Sequence, residues 1–272
     1  MAEKMKIGIV GCGAIGASLA EGIVKDFKDE AELYAIYDID RNRSFALAEK
    51  LKNEKLAVLN LKDLIALSDL VIESASAGVS YEIACRAINL KRHVLVMSVA
   101  GIWRRFSELK KMAQKKKVNL LVPSGAISGL DGLKASSLDK IKEVVLTTKK
   151  PPSAFINVPY VLRKKINLCQ TKNEILLFKG KVDEAVKFFP QNINICATLA
   201  LLCDADKIKV NIIASGVLKK NTHELLIVSQ AGRIFIRCEN TIHPRNPKTS
   251  YLAVLSALAA LRGFLQNAKI GT

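Results

Sequence analysis

The stretch Lys6–Gly16, KIGIVGCGAIG, constrains this chain more than any other. An apolar run, Ile7–Val10, breaks into Gly11-x-Gly13-x-x-Gly16, and Ala17-Ser18-Leu19-Ala20 then carries an apolar face at helical spacing. Strand, tight turn and helix in that order place unpaired backbone N–H groups and the positive end of a helix dipole at the end of a strand, a natural cradle for phosphate. Gly11 permits the sharp turn, Gly13 lets the backbone approach a pyrophosphate, and Gly16 lets the helix lie close on the strand. Ala14 and Ile15, between the second and third glycines, open the helix and belong to the same cofactor-binding loop.

A glycine-rich turn can also serve packing alone, so the residues after it decide. Leu33–Tyr37 is a second apolar strand ending in Asp38, roughly 20 residues past Gly16, the offset of a carboxylate that binds the adenosine ribose. The competing reading makes Asp38 the N-cap of the next helix, IDRNRSFALAEKL. The charge of Asp38 repels a 2′-phosphate and favours NAD, whereas Arg41 and Arg43 offer that phosphate a partner, so the expected cofactor is NAD or NADP.

The alternation then continues: helix Arg41–Leu51, a short strand near Leu56–Leu59, helix Leu61–Leu67, strand Leu70–Ser74, helix Val79–Leu90, strand His93–Met97, helix Phe106–Lys116 and strand Val118–Val122. Short apolar strands separated by helices imply right-handed crossovers and a Rossmann-type, doubly wound parallel sheet, so the fold class is α/β. Glu73–Ser76, Ser98–Gly101 and Pro123–Ala126 fall at strand ends and are small and polar, as close approach to a cofactor requires. After Pro123 the pattern changes to strands at Ile141–Thr148, Ile166–Lys179, Ile208–Ala214, Glu224–Ser229 and Arg233–Glu239 with few helices between them. That is the pattern of a second, α+β domain with a mixed, largely antiparallel sheet. The expected division is 1–123 for the dinucleotide-binding domain and 124–248 for the second, with a C-terminal helix over 249–272 packing back on the first.

Composition removes several function classes. No apolar run is long enough to span a membrane, and MAEKMK leads straight into the first strand, so a cytoplasmic protein with no membrane partner is expected. The six cysteines lack CxxC spacing, which argues against a zinc site or a disulfide framework and leaves no metal expected. Cys12 is notable because a helix N-terminus can lower a thiol pKa, although a small filler residue is the simpler reading. The net charge of +17 is compatible with nucleic acid or with anionic substrates. Its densest clusters, among them Lys149-Lys150, carry no interleaved aromatics and read as solvated surface, so nucleic acid is not an expected partner.

Three histidines are the candidates for acid–base chemistry: His93 at a strand start, His223 in KKNTHE, and His243 in ENTIHPRNPKTS. The last block concentrates turn formers, a lysine and two hydroxyls before a helix, a suitable place for a carboxylate or, equally, a capped connector.

Together with the glycine loop, four further motifs resemble the L-aspartate dehydrogenase family over essentially the whole chain. They are Pro123-Ser124-Gly125-Ala126-Ile127-Ser128-Gly129-Leu130-Asp131, Phe189-Pro190-x-Asn192-x-Asn194-x-x-Ala197, Asn221-x-His223-Glu224 and Asn246-Pro247-Lys248-Thr249-Ser250. The resemblance implies NAD(P)-dependent oxidation of L-aspartate to iminoaspartate, a supply to NAD biosynthesis, and a homodimer in which the second domain is catalytic and dimerising. It also implies that Ala126 and Asn192 contact the cofactor and that His223 is catalytic. Hydride leaves Cα only when the amine is unprotonated, a demand that a histidine meets. For a small-molecule dicarboxylate amino acid, Lys248, Thr249 and Ser250 are placed to hold one carboxylate, with His243 or Arg245 near the other. The rival readings are another amino-acid-pathway enzyme, of the homoserine dehydrogenase or dihydrodipicolinate reductase type, and an NAD(H)-sensing regulator that binds nucleic acid.

Overall fold

The structure, a computed structural model, describes residues 3–168, 173–189, 194–218 and 220–266, with the backbone alone at 247 and 248. Its contacts fall into two units, one of the described residues up to Pro123 with those from Val254 on, the other of Ser124–Ala253.

The first unit is built on β1 (Met5–Val10), α1 (Ala14–Asp26), β2 (Ala31–Tyr37), α2 (Arg41–Lys50), α3 (Leu61–Leu67), β3 (Leu70–Glu73), α4 (Ala77–Asn89), β4 (His93–Val96), α5 (Phe106–Lys116) and β5 (Leu120–Leu121). The strands pair in parallel in the order β2-β1-β3-β4-β5. β3 is buried along its whole length, as a strand covered on both faces must be, which is why its first three residues, Leu70, Val71 and Ile72, show no polar alternation. The strand expected at Leu56–Leu59 is instead a 3-10 turn, Glu54–Leu56, with one bridge from Ala57 to Ile36. Asn60 accepts the Asp63 N–H at 2.9 Å and caps α3, so the chain is already committed to a helix and leaves little length for strand pairing.

In the second unit follow α6 (Leu130–Ser136), β6 (Ile141–Lys150), α7 (Pro159–Arg163), β7 (Glu174–Lys181), α8 (Val182–Phe188), α9 (Asn194–Ala200), β8 (Ile208–Ser215), β9 (Asn221–Ser229), β10 (Arg233–Asn240), β11 (Ile242–His243) and β12 (Asn246–Ser250). The main sheet runs β10-β9-β6-β8-β7, with β6 and β8 parallel and the other neighbours antiparallel. One face of β6, β8 and β9 is apolar and closed, with Val144, Leu146, Val210, Ile212, Leu225 and Ile227 essentially inaccessible. Phe155, Tyr160, Phe178 and Phe189 add an aromatic cluster with ring centroids 5.3–6.3 Å apart.

The final helix, α10 (Leu252–Leu265), starts later than the expected Thr249, because Asn246–Ser250 pair with β11 in a hairpin instead. Val254, Ala257 and Leu261 join the first unit's core with Ile7, Leu19 and Ile23. A Cβ on Gly22 of α1 would meet Leu258 at 2.7 Å, so the two helices pack at glycine distance.

The tightest contact in the first unit is at Gly16, where a Cβ would overlap the Gly11 carbonyl oxygen. The neighbour is backbone and cannot rotate away. Gly16→Ala should therefore destabilise the fold by about 1–3 kcal/mol, read as a lower urea midpoint; an unchanged midpoint would mean that the turn has slack.

Candidate functional site

The first sheet's switch point lies between β1 and β3, because β2 extends to one side of β1 while β3, β4 and β5 extend to the other. Doubly wound sheets bind ligands at that point, outside the carboxyl ends of the strands. A cavity of about 410 Å³ opens there, lined by Gly11, Gly13, Asp38, Arg43, Ser74 and Ser76 among others. Gly11 has φ +93°, a left-handed turn suited to glycine, and Gly13 has nothing within 4 Å of where a Cβ would stand. Ala14, Ile15 and Gly16 form the first turn of α1, and Gly13 caps it without a side-chain hydrogen bond, so its first N–H groups remain for a phosphate.

Asp38 is buried, with Oδ2 accepting the Cys12 N–H at 2.7 Å and Oδ1 the Asp40 N–H at 2.9 Å. One donor per oxygen leaves lone pairs for ribose hydroxyls. The cap of α2 is Asp40, whose Oδ1 accepts the Asn42 N–H, so capping does not explain Asp38. Arg43 lines the cavity and pairs with Asp40 at 3.3 Å. Cys12 does not have the lowered pKa that its helix N-terminus suggested. Burial, with the charge of Asp38, pushes its thiol up to about 12. It is a neutral filler.

The strand-end loops are fastened to one another. Ser74 Oγ donates to the Gly11 carbonyl at 2.9 Å, tying the loop after β3 to the glycine turn. Glu73 is fully buried and accepts the Ala75 and Ser98 N–H groups at 2.9 and 3.0 Å, linking the loops after β3 and β4. Burial raises its pKa, while these backbone donors pull the other way.

The three histidines separate by what meets Nδ1. In His93 it accepts the Asn119 N–H at 3.0 Å, and the ring lies edge-on to Phe264, so His93 is a framework residue. In His243 it accepts the Arg245 N–H at 3.1 Å, while the buried ring packs near Tyr251. His223 is different: Nδ1 lies 3.1 Å from the Thr148 hydroxyl, which can donate or accept. Burial first, and the charge of Lys150 second, lower its pKa to about 3, so the imidazole is neutral at physiological pH.

Around His223 the second sheet ends in a buried polar cluster. Thr148 and Lys150 finish β6, Ser215 finishes β8, Asn221 and Thr222 begin β9, and Asn240 finishes β10, all closed to solvent. Asn240 Nδ2 donates to the Ala126 carbonyl at 2.7 Å, Asn221 stands opposite Asn240 in register, and Asn221 Nδ2 donates to Ser250 Oγ at 3.3 Å. These links gather Ala126, Ser250 and His223 at one end of the sheet. Thr249 Oγ1 accepts from Asn246 Nδ2 within the β11–β12 hairpin. Asn192 and the side chain of Lys248 lie outside the described residues.

Thr148, Lys150 and Asn240 escaped the sequence reading. The Lys149-Lys150 pair read as solvated surface, and that holds for Lys149, which contacts Glu174 and Glu224 at 3.2 and 3.8 Å. Lys150 is 4% exposed. The available signal was strand alternation, since Val144, Leu146, Thr148 and Lys150 occupy one face and the first two are plainly core.

Comparison with known proteins covers both units. Residues 131–264 match the family described as "Aspartate dehydrogenase, C-terminal", and residues 11–123 match "Homoserine dehydrogenase, NAD binding domain". The chain is 39% identical to the L-aspartate dehydrogenases of Methanococcoides burtonii and Methanosarcina mazei, in each case over 98% of this chain and 100% of the relative. Among solved structures it is similar to an aspartate dehydrogenase from Thermotoga maritima, with a TM-score of 0.75 and 26% identity over 99% of this chain and 100% of that one.

The buried neutral His223 gives a pH signature for stability. Its folded pKa lies below the unfolded value near 6.5, so the unfolded chain binds the proton first as pH falls. The stabilising contribution is complete above pH 6.5 and is lost progressively toward pH 3. Denaturation midpoints should fall less steeply over that range in His223→Gln than in the parent; parallel profiles would contradict the burial.

Proposed function

The chain belongs to the L-aspartate dehydrogenase family, and from that premise we propose how its own residues carry the family's reaction. The protein is an NAD(P)-dependent oxidoreductase that converts L-aspartate to iminoaspartate, which water then hydrolyses to oxaloacetate and ammonia. The observation that carries this is the likeness to curated L-aspartate dehydrogenases over nearly the full length, second unit included. The nucleotide unit alone would suit a homoserine-oxidising enzyme equally well.

When bound, the nicotinamide supplies the acceptor for the hydride. The cavity residues fit such a cofactor: a glycine turn without side chains in the way, free N–H groups at the start of α1, and a carboxylate fixed by backbone donors. In this reading Gly11, Gly13, Ala14, Ile15 and Gly16 hold the pyrophosphate and Asp38 the adenosine ribose, with Ala126 and Asn192 also on the cofactor. A carboxylate locked in place by Cys12 and Asp40 cannot swing away from a 2′-phosphate, which supports NAD over NADP.

His223 is assigned the proton. With Nδ1–H donating to Thr148 Oγ1, Nε2 keeps its lone pair and takes one proton from the substrate ammonium. The freed nitrogen lone pair then forms the C=N bond as hydride departs from Cα, so one proton and one hydride leave and the imine forms in its protonated state, whose hydrolysis releases the ammonia as ammonium. Ser250, with Lys248 and Thr249 of the same strand and His243 of the paired one, is assigned to the substrate carboxylates.

Three further assignments complete the reading. The product supplies NAD biosynthesis. The protein acts in the cytoplasm; no helix among the described residues is long and apolar enough to cross a membrane. It works as a homodimer, supported by the open face of the second sheet, where Leu176 and Phe235 stand 54% and 62% exposed.

Two measurements test the site. His223→Ala should lower kcat by roughly 10²–10⁴-fold while NAD binding stays unchanged, and near-normal turnover would remove it from the reaction. Asp38→Ser should raise the KM for NAD by about tenfold and narrow the preference over NADP; unaltered cofactor kinetics would rule out the ribose contact.

A further inference from the structure

A buried carboxylate at the first sheet's switch point has no part in the reaction described so far. Glu73 ends β3, where the loop toward α4 begins, and it is 0% exposed. Oε1 accepts the Ala75 N–H and Oε2 the Ser98 N–H. The Met97 N–H and the Ser98 hydroxyl also donate to this carboxyl, so its partners among the described residues are neutral donors from two loops. A carboxylate is among the most expensive groups to bury, and one kept without a cation is held by hydrogen bonds to its oxygens.

What those bonds fix is one wall of the cavity at the switch point. Ala75 lines that cavity, between Ser74 and Ser76. The Ala75 backbone also lies directly on the glycine turn, since a Cβ on Gly11 would meet Ala75 N and Cα at 2.7 Å. The Glu73–Ala75 bond therefore holds the piece of chain that braces Gly11. Through Oε2 the same carboxylate holds Ser98, whose carbonyl accepts from Ser80 Oγ of α4 at 3.1 Å, and α4 supplies Val79 and Ile83 to the cavity. A group that accepts on both oxygens ties both loops at once. An amide of the same shape cannot, because one of its two ends is a donor.

We propose that Glu73 is a positioning residue for the dinucleotide: its two oxygens set the loops after β3 and β4 in the arrangement the cofactor fits, so that cofactor affinity depends on a buried side chain acting through Ala75 and Ser98. The inference rests on the reading above that puts the cofactor in this cavity. With Ala75 released, the loop after β3 is free to shift over the turn assigned to the pyrophosphate, and binding has to order it again at the expense of affinity. The groups assigned to proton transfer and to the substrate carboxylates belong to the second unit, so turnover with saturating cofactor is left as it was.

The test compares Glu73→Gln and Glu73→Asp with the parent in the full chain. Glu73→Gln keeps the volume but sets an amide NH₂ against a backbone N–H. Glu73→Asp keeps the Ala75 bond, in the same turn that Asp38 makes with the Asp40 N–H, and loses the span to Ser98. NADH binding is followed by fluorescence well below each thermal midpoint, and kcat and the aspartate KM are measured at saturating NAD. Glu73→Gln should raise the NADH dissociation constant at least about tenfold while kcat and the aspartate KM stay unchanged, and Glu73→Asp should fall between it and the parent. A residue that only stabilises the fold would lower the thermal midpoint and the active fraction but leave the dissociation constant of the folded protein unaltered; that result would overturn the proposal. Should Glu73→Gln not fold, parent-like NADH binding by Glu73→Asp would overturn it equally. A parent that binds no NADH brings down the nucleotide reading itself, whereas a parent and a Glu73→Gln variant that bind NADH equally well bring down this proposal alone.

Discussion

The first unit depends on one close approach of backbone to backbone, where the start of α1 crosses the end of β1 with Gly16 set against the carbonyl of Gly11. No side chain fits there. The approach brings the N–H end of α1 over the end of the strand, and the Cys12 N–H then reaches the Asp38 carboxylate on β2's far end. Ser74 fastens the same carbonyl from β3. The glycine turn, the Asp38 carboxylate and the neighbouring loop are thus held by hydrogen bonds that all converge on one turn. A dinucleotide meets a site whose geometry is already set, and little ordering has to accompany binding.

The second unit solves a different problem. It keeps His223 dry and neutral and gives it a partner that fixes the ring, and it does so by opposing strands. Thr148 on β6 and His223 on β9 are register partners, so their contact follows from sheet pairing rather than from a flexible loop. Asn240 and Asn221 extend the polar cluster to Ala126 and Ser250 in the same way. Strand-borne groups are held more rigidly than loop-borne ones, which is what the proposed proton transfer by His223 would need.

Much of this was legible. The glycine spacing, Asp38 and the alternating elements specify the parallel sheet, because each depends on neighbours within a few residues and on hydrophobic period. The families matched in each half agree with that reading. What misled was local too. Thr249 and Ser250 look like helix caps, yet Asn246–Ser250 are drawn into a hairpin by pairing with β11. Lys150 looks like half of a surface basic pair, and Cys12 like an activated thiol, until burial is known. Charge and exposure are not properties of a dipeptide.

The sequence by itself determined the nucleotide fold, the glycine turn and the family, since these are carried by short-range spacing and by motifs that recur in order. Only the tertiary structure decided which histidine sits against a hydroxyl, which carboxylate is pinned to the glycine turn, and which lysine is buried. The physical reason is that burial and hydrogen-bond partnership are set across strands. Thr148 and His223 are 75 residues apart in the chain and 3.1 Å apart in the sheet, and no local pattern of residues encodes that pairing.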